Sequence, residues 1–167
     1  MKKFLSVLGV LFLGSLILAS CSYATAYKGS KIYKTDVTKV MEDGLHNWIL
    51  VGKTDAPDGS KIIVTPADTN NSEYGAMESE SESGGSWAVV KKGTFAASVA
   101  PATTSTSQKQ GVKTKVLVFA ISNYDKKWNF YQLPKRMLKK VNRTLEAETL
   151  TITKSQERFY NSLDDDE

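Results

Sequence analysis

The chain has 167 residues, of which 41% are apolar and 24% charged, and this is typical of one globular domain with one core. One Cys and one His exclude a disulfide framework and a Cys/His zinc site, and a Ser-His-Asp triad would have to use His46. The net charge is +4, but Lys2 and Lys3 lie in a segment that we expect to be removed, so the charge does not indicate nucleic-acid binding.

Residues 1–20 have the pattern of a secretory signal peptide. Lys2 and Lys3 are followed by an apolar run from Phe4 to Ala19 that ends in small residues. As a membrane span the run is slightly short, and it has no positive flank on its far side. We therefore expect this segment to direct export.

The end of this segment is Leu18-Ala19-Ser20-Cys21, which resembles the lipobox of bacterial diacylglyceryl lipoproteins at all four positions. The resemblance implies a diacylglyceryl group on the Cys21 thiol and cleavage just before Cys21. It also implies a protein anchored at the extracytoplasmic face of the cytoplasmic membrane of a Gram-positive type of cell. An ordinary signal peptide with a chance Cys is the alternative. No metal and no other cofactor are predicted.

Residues 21–35 are predicted to be the lipidated Cys and a short tether, because most of their side chains are small or polar and the stretch is weakly basic. Three lysines in it, Lys28, Lys31 and Lys34, could touch anionic headgroups. A solvated tether is the simpler interpretation.

Residues 36–154 are predicted to form one mostly β domain. Short runs rich in Val, Ile, Leu and aromatic residues alternate with turn signals, which favours a two-layer antiparallel β-sandwich of seven or eight strands. No long helical pattern separates the runs, and this disfavours a parallel α/β fold. The predicted strands are 37–41, 45–51, 61–65, 87–90, 95–99, 115–121, 128–133 and 150–153, with 115–121 as the central one.

Three stretches of this domain carry turn residues at close spacing. Residues 52–62 read Gly-Lys-Thr-Asp-Ala-Pro-Asp-Gly-Ser-Lys-Ile, and Gly85-Ser86-Trp87 and Gly93-Thr94-Phe95 follow. The set resembles bacterial immunoglobulin-like surface domains, as found in small lipoproteins and surface proteins of lactic acid bacteria. The resemblance covers residues 36–122 and implies an immunoglobulin-like fold, but no activity.

Residues 135–148 break the β pattern and predict one amphipathic helix that begins after Pro134. We expect it to cross one end of the sandwich and to lead into the last strand. Its apolar residues recur at helical spacing, and they are Met137, Leu138, Val141 and Leu145.

Residues 155–167 are predicted to form a C-terminal tail. A short helix over residues 155–163 is an option, with Ser155 as its cap and with Phe159 and Leu163 buried. Two polar loops are also predicted, at 68–85 and 102–111. Glu78, Glu80 and Glu82 in the first loop could suggest calcium, but a solvated loop is the simpler interpretation.

Two groups of side chains are candidate contact sites. Tyr124 and Trp128 flank a loop and are the predicted exposed aromatic contact. The other aromatic residues of the predicted strands are expected in the core, and they are Trp48, Trp87, Phe95, Phe119, Phe130 and Tyr131. Four cations of the predicted helix share one face and could contact phosphates of lipid headgroups or wall polymers, although cations are ordinary on the polar side of a helix. They are Arg136, Lys139, Lys140 and Arg143.

We expect the protein to bind or scaffold at the cell surface and not to be an enzyme, because the sequence has no phosphate loop, nucleophile elbow or metal-ligand spacing. The partner would be an envelope protein or an anionic wall polymer, and not a nucleic acid. One alternative is an accessory subunit of an envelope transport or maintenance complex. A remote alternative is a hydrolase that uses His46.

Overall fold

A computed structural model of the protein describes residues 23–67, 78–79, 86–124 and 133–164, and within these ranges the chain forms nine strands and three helices. The predicted mostly β, antiparallel, sandwich-like fold with a helix near the C-terminus is confirmed. The strands are β1 (Thr25–Tyr27), β2 (Ser30–Glu42), β3 (Trp48–Thr54), β4 (Lys61–Pro66), β5 (Glu78–Ser79), β6 (Ser86–Trp87), β7 (Thr94–Val99), β8 (Lys113–Ser122) and β9 (Glu148–Thr151). The helices are α1 (Pro101–Thr104), α2 (Lys135–Thr144) and α3 (Lys154–Asp164).

One seven-stranded sheet has the order β4-β8-β2-β3-β7, with β1 added to β2 and β9 added to β8. The long strand β2 connects two parts of this sheet, one formed with β8 and β4 and the other with β3 and β7. Its first part, Lys31–Lys34, pairs with β8, and its second part, from Thr35 to Glu42, pairs with β3. The register shifts between Val37 and Lys39. Because a bulge bends its strand and increases the twist, the sheet curls at this point into a two-layer arrangement.

The curled sheet encloses an inner core. Strand β8 contributes Val116, Val118 and Ala120 to it, and β3 and β7 contribute from the opposite layer. Trp48, Tyr33 and Phe95 are the three largest side chains of this cluster, and all three are buried. Strand β8, which includes the predicted strand 115–121, lies inside the sheet between β4 and β2, and the middle place in the strand order is taken by β2.

The other face of β8 contributes to a second, outer core. Leu117, Phe119 and Ile121 point to this face and are buried under α2. The helix side of the contact consists of the predicted apolar residues, Met137, Leu138, Val141 and Leu145. The helix therefore covers the outer face of the sheet, and the prediction that it crosses one end of the sandwich is wrong.

Helix α2 ends at Thr144, four residues before the predicted end. Leu145 has extended backbone angles (φ −111°, ψ 146°), and its N–H still donates to the Val141 carbonyl. The chain then continues into β9, which pairs with the first part of β8. Pairing with β8 from Glu148 onwards prevents further helix, so the predicted passage from helix into the last strand is confirmed.

The N-terminal segment is folded, and the prediction of a solvated tether is wrong from Thr25 onwards. Thr25–Tyr27 pairs with Ser30–Ile32 through a tight turn at Lys28 and Gly29, both of which have positive φ angles. Ile32 lies in the outer core and Tyr33 in the inner core. Their burial in two different cores is the reason that this stretch is strand rather than tether.

The segment 88–91 connects β4 and β7 through backbone hydrogen bonds. Ile62 donates its N–H to the Ala88 carbonyl (2.8 Å), and Val90 donates to the Ser60 carbonyl (2.9 Å). The predicted strand 87–90 thus corresponds partly to β6 and partly to this bridge. Of the predicted strand 128–133 only Leu133 is described, and it is buried in the outer core. The predicted loop 68–85 lies outside the described residues except for β5.

Of the two options for the C-terminal tail, the short helix is the one found: α3 begins one residue before Ser155. Its cap is Thr153, whose hydroxyl accepts the Gln156 N–H (3.1 Å), while the Gln156 side-chain oxygen accepts the Thr153 N–H (2.9 Å). This reciprocal pair is a capping box, so the prediction of Ser155 as cap is wrong. Phe159 packs against the His46 ring, whereas Leu163 is 49% exposed and is not the predicted buried partner.

Two glycines offer a matched test of the packing in the curled sheet. A Cβ atom at Gly52 would overlap the Asp36 carbonyl oxygen and lie 2.6 Å from Cζ of Phe95, whereas nothing lies within 4 Å of one at Gly44. We expect Gly52→Ala to lower the free energy of unfolding by about 1–3 kcal/mol, as overpacking does. Gly44→Ala should change it by less than about 0.5 kcal/mol. Urea unfolding measures both, and equal effects would contradict this packing.

Candidate functional site

The polar face of α2 carries the predicted cations. The apolar residues of α2 face the sheet, so Arg136, Lys139 and Arg143 project from the opposite side and are exposed. The helix contains no acidic residue. None of these three side chains forms an ion pair with a carboxylate within the part of the chain that the structure describes. Among the described residues, the face is therefore a cluster of positive charges without a paired carboxylate.

Lys140, the fourth predicted cation, has a structural contact. Its ammonium group donates to the Ala26 carbonyl (2.9 Å) and so connects α2 to β1. Ala26 is also the register partner of Lys31 in the neighbouring strand. This contact places the N-terminal hairpin beside the helix, so the two basic elements lie side by side.

The N-terminal hairpin also carries two lysines, Lys28 and Lys31. The Lys31 ammonium lies 5.4 Å from the centre of the Tyr23 ring, and the Lys28 ammonium lies 5.7 Å from that of Tyr27. Both distances are within the range of cation–π attraction. We use the name basic surface for the cations of the hairpin and of α2 together, which are Lys28, Lys31, Arg136, Lys139, Lys140 and Arg143.

The predicted aromatic contact is only partly within the described residues. Tyr124 is half-buried and packs against the outer core, and the Lys61 ammonium lies 5.1 Å from its ring centre. It is therefore less exposed than predicted. Trp128 lies outside the described residues, as do Cys21 and the rest of the predicted lipobox.

Sequence reasoning missed a polar cluster around His46, in the turn between β2 and β3. Nδ1 of His46 lies 2.6 Å from Oε1 of Glu42. The other carboxylate oxygen, Oε2, accepts hydrogen bonds from the Thr153 hydroxyl (2.6 Å) and the Ser155 hydroxyl (2.8 Å). Gln156 donates its side-chain amide to the His46 carbonyl (3.0 Å). The cluster therefore fastens the start of α3 to the β2–β3 turn.

This arrangement differs from that of a serine hydrolase. In such an enzyme the imidazole accepts the proton of the nucleophilic hydroxyl, and the carboxylate lies on its far side. Here both hydroxyl groups donate to Glu42 itself, and the carboxylate separates Ser155 from His46. The geometry thus supplies no activated hydroxyl at His46. No single stretch of sequence predicts the cluster, because Glu42 and Thr153 are 111 residues apart.

The environment of Glu42 changes its acidity. Burial, the largest influence, raises the pKa of this carboxyl group, but hydrogen bonds from Thr153, His46 and Ser155 and the charge of His46 lower it more in total. The resulting pKa of Glu42 lies below its ordinary value. The ionised form is thus favoured by folding, and the interaction stabilises the folded state only while Glu42 is ionised.

A groove of about 560 Å³ lies on another part of the surface. It runs between the end of β4, the segment 101–106 and the start of β8, and its lining includes Lys113 and Lys115. The hydroxyl of Thr104, also part of the lining, is buried and has no hydrogen-bond partner among the described residues. The sequence of the predicted polar loop 102–111 does not predict this groove, because the groove forms only where the loop packs beside β4 and β8.

No group of three or more potential metal-ligating His, Cys, Asp or Glu side chains occurs among the described residues. In the same part of the chain, no helix has both the length and the apolar character needed to cross a membrane.

Comparison of the chain with protein-family models, curated proteins and solved structures gave no match. The resemblance to immunoglobulin-like surface domains therefore stays a prediction. The function has to be argued from the residues of this chain.

The Glu42 cluster predicts a pH dependence of stability. Since folding lowers the pKa of Glu42, its contribution is complete above the ordinary glutamate pKa of about 4.3 and is lost as the pH falls through the folded-state value. We expect Glu42→Gln to lower the free energy of unfolding by about 1–2 kcal/mol at pH 7. The loss should shrink on acidification.

Urea unfolding followed by circular dichroism between pH 7 and pH 3 measures this difference. Glu146→Gln is the matched control, because Glu146 is exposed and follows α2. A loss that is the same at both pH values would show that the carboxylate charge contributes nothing.

Proposed function

We propose that the protein is a lipid-anchored, non-catalytic module that binds or scaffolds at the extracytoplasmic face of the cytoplasmic membrane. The lipobox resemblance at residues 18–21 supports the anchor. A diacylglyceryl group brings two acyl chains into the bilayer, and each buried CH₂ contributes about 0.8 kcal/mol. Two chains hold a protein at a membrane where one chain gives only marginal binding.

The observation that carries the proposal is the small number of residues between Cys21 and the described folded structure. Ala24 already donates its N–H to the Ile32 carbonyl (2.7 Å), and β1 begins at Thr25. Two residues of chain reach at most about 7 Å, so Tyr23 is never farther than this from Cys21. A domain attached through so short a connection would rest on the membrane surface, as a module working at that surface requires.

The alternative of an accessory subunit has its own supporting observation. Val40, Met41 and Leu45 are exposed near the β2–β3 turn, and Leu45 is 64% exposed. Strand β2 has 13 residues and separates this apolar tip from the N-terminal hairpin by up to about 40 Å. Exposed apolar groups are common at protein–protein contact sites. We therefore favour an envelope protein over a wall polymer as the partner met at this end.

The anchor is tested by Cys21→Ala in cells of the source type. We expect the variant to leave the washed membrane fraction, because the thiol is the only attachment point for the diacylglyceryl group. Ser22→Ala is the control and should stay in that fraction. Membrane retention of the Cys21→Ala variant after a high-salt wash, with its N-terminal segment removed, would contradict the anchor.

The partner is tested with a photo-crosslinking side chain at position 45 on intact cells. We expect one reproducible membrane-protein adduct, and its loss when Met41 is replaced by Lys. A crosslinker at Asp58, in the exposed turn before β4, is the control. Capture of wall material alone from position 45 would contradict the accessory-subunit alternative and favour a wall-polymer ligand.

A further inference from the structure

We propose that the basic surface lies against the anionic headgroups of the membrane that holds the Cys21 anchor, and that it thereby fixes the orientation of the domain. The inference rests on the proposed function, because the anchor is what brings the surface to the membrane. It goes beyond anchoring, since it states which face of the domain meets the lipid and which end points away.

The first step is the distance between anchor and helix. Five residues of chain lead from Cys21 to Ala26, and they reach at most about 17 Å. The Lys140 ammonium is 2.9 Å from the Ala26 carbonyl. Helix α2 is therefore held close to the anchor by a hydrogen bond within the domain, whatever path the two residues before Tyr23 follow.

The second step is the direction of the cations. Met137, Leu138 and Val141 fix one side of α2 on the sheet. The side chains of Arg136, Lys139 and Arg143 consequently lie on the side that points away from the domain. From Arg136 to Arg143 the helix rises about 10 Å, so these charges form a compact patch that a flat surface can contact at once.

The third step is charge complementarity. Within the described residues no carboxylate pairs with Arg136, Lys139 or Arg143, so their charges are available to an external anion. A cation close to an anionic bilayer strengthens binding about fivefold, and the attraction fades over roughly 8 Å at physiological salt. The short chain to Cys21 holds Ala26 within about 17 Å of the anchor, so the helix can approach the membrane to the distance at which this attraction acts.

Phosphates of a wall polymer have the same charge as lipid phosphates, but the position of the basic surface favours the lipid. The surface lies on the outer side of the domain, beside the N-terminal hairpin, and Lys28 and Lys31 belong to this hairpin, which follows Cys21 most closely. A polymer would more readily meet the exposed end at the β2–β3 turn. That end carries the exposed apolar side chains of Met41 and Leu45.

The test uses the full lipidated protein, extracted from membranes and reconstituted into vesicles. Because the sequence has one Cys and that Cys carries the lipid, Asn142→Cys introduces a single free thiol on the exposed side of α2. A fluorophore on this thiol is read against a quencher attached to lipid headgroups. The vesicles contain phosphatidylcholine alone or a mixture with phosphatidylglycerol.

We expect strong quenching at position 142 in the anionic vesicles and a loss of most of it in phosphatidylcholine alone. The combined substitution of Arg136, Lys139 and Arg143 by Gln should cause the same loss, because it leaves Lys140 and its structural contact in place. A label at position 45, introduced by Leu45→Cys, is the matched control and should be quenched weakly in both vesicles.

Equal quenching at positions 142 and 45, or quenching at 142 that does not depend on the anionic lipid, would overturn the inference. A label response to added wall polymer but not to phosphatidylglycerol would also overturn it and would assign the surface to the polymer. Failure of the proposed function is a separate result. In that case the protein would not float with either kind of vesicle, and its mass would lack the diacylglyceryl group.

Discussion

Burial of both faces of β8 is the constraint on which the rest of this structure depends. Val116, Val118 and Ala120 point to one side and Leu117, Phe119 and Ile121 to the other. A strand that carries apolar side chains on both faces of a sheet needs a packing layer on each face. The curling of the sheet at β2 covers the inner face, and α2 covers the outer face. The second cover distinguishes this chain from a simple two-layer sandwich with solvent on both outer sides.

The position of α2 then determines the surface. Because its apolar side is used by the outer core, its cations are forced to face outwards, and Lys140 brings β1 against the helix. The N-terminal hairpin, whose strand β1 begins four residues after Cys21, is thereby placed beside the strongest concentration of positive charge that we have described. Core packing, and not a dedicated binding loop, produces this juxtaposition.

The sequence predicted those parts of the fold that depend on local patterns. The apolar residues of α2 recur at helical spacing, and residues 116–121 form a continuous apolar run, so local patterns predict both elements. The strand status of residues 25–35 was missed, since Lys28, Lys31 and Lys34 give this stretch a polar composition although Ile32 and Tyr33 are buried in different cores. The end of α2 was placed too late, because pairing of β9 with β8 overrides the helical pattern.

For the candidate sites, too, local patterns are predictable from the sequence and contacts between distant residues are not. The exposed cationic face of α2 follows from spacing alone, whereas its contact with β1 does not, because Lys140 and Ala26 are 114 residues apart. Likewise the sequence shows His46 as a single residue without a partner motif. Only the packing of α3 brings Thr153 and Ser155 to Glu42, which is the hydrogen-bond partner of His46. His46 is therefore part of a cluster that connects α3 to the β2–β3 turn, and not a candidate base.

The central claim is that a folded domain begins almost directly at a lipidated Cys21. Intact mass measurement of the protein extracted from membranes in detergent, with fragmentation from the N-terminus, tests it most directly. The account predicts a chain that begins at Cys21 and carries a diacylglyceryl group on that residue. A chain that begins at another residue, or a Cys21 with a free thiol, would contradict it.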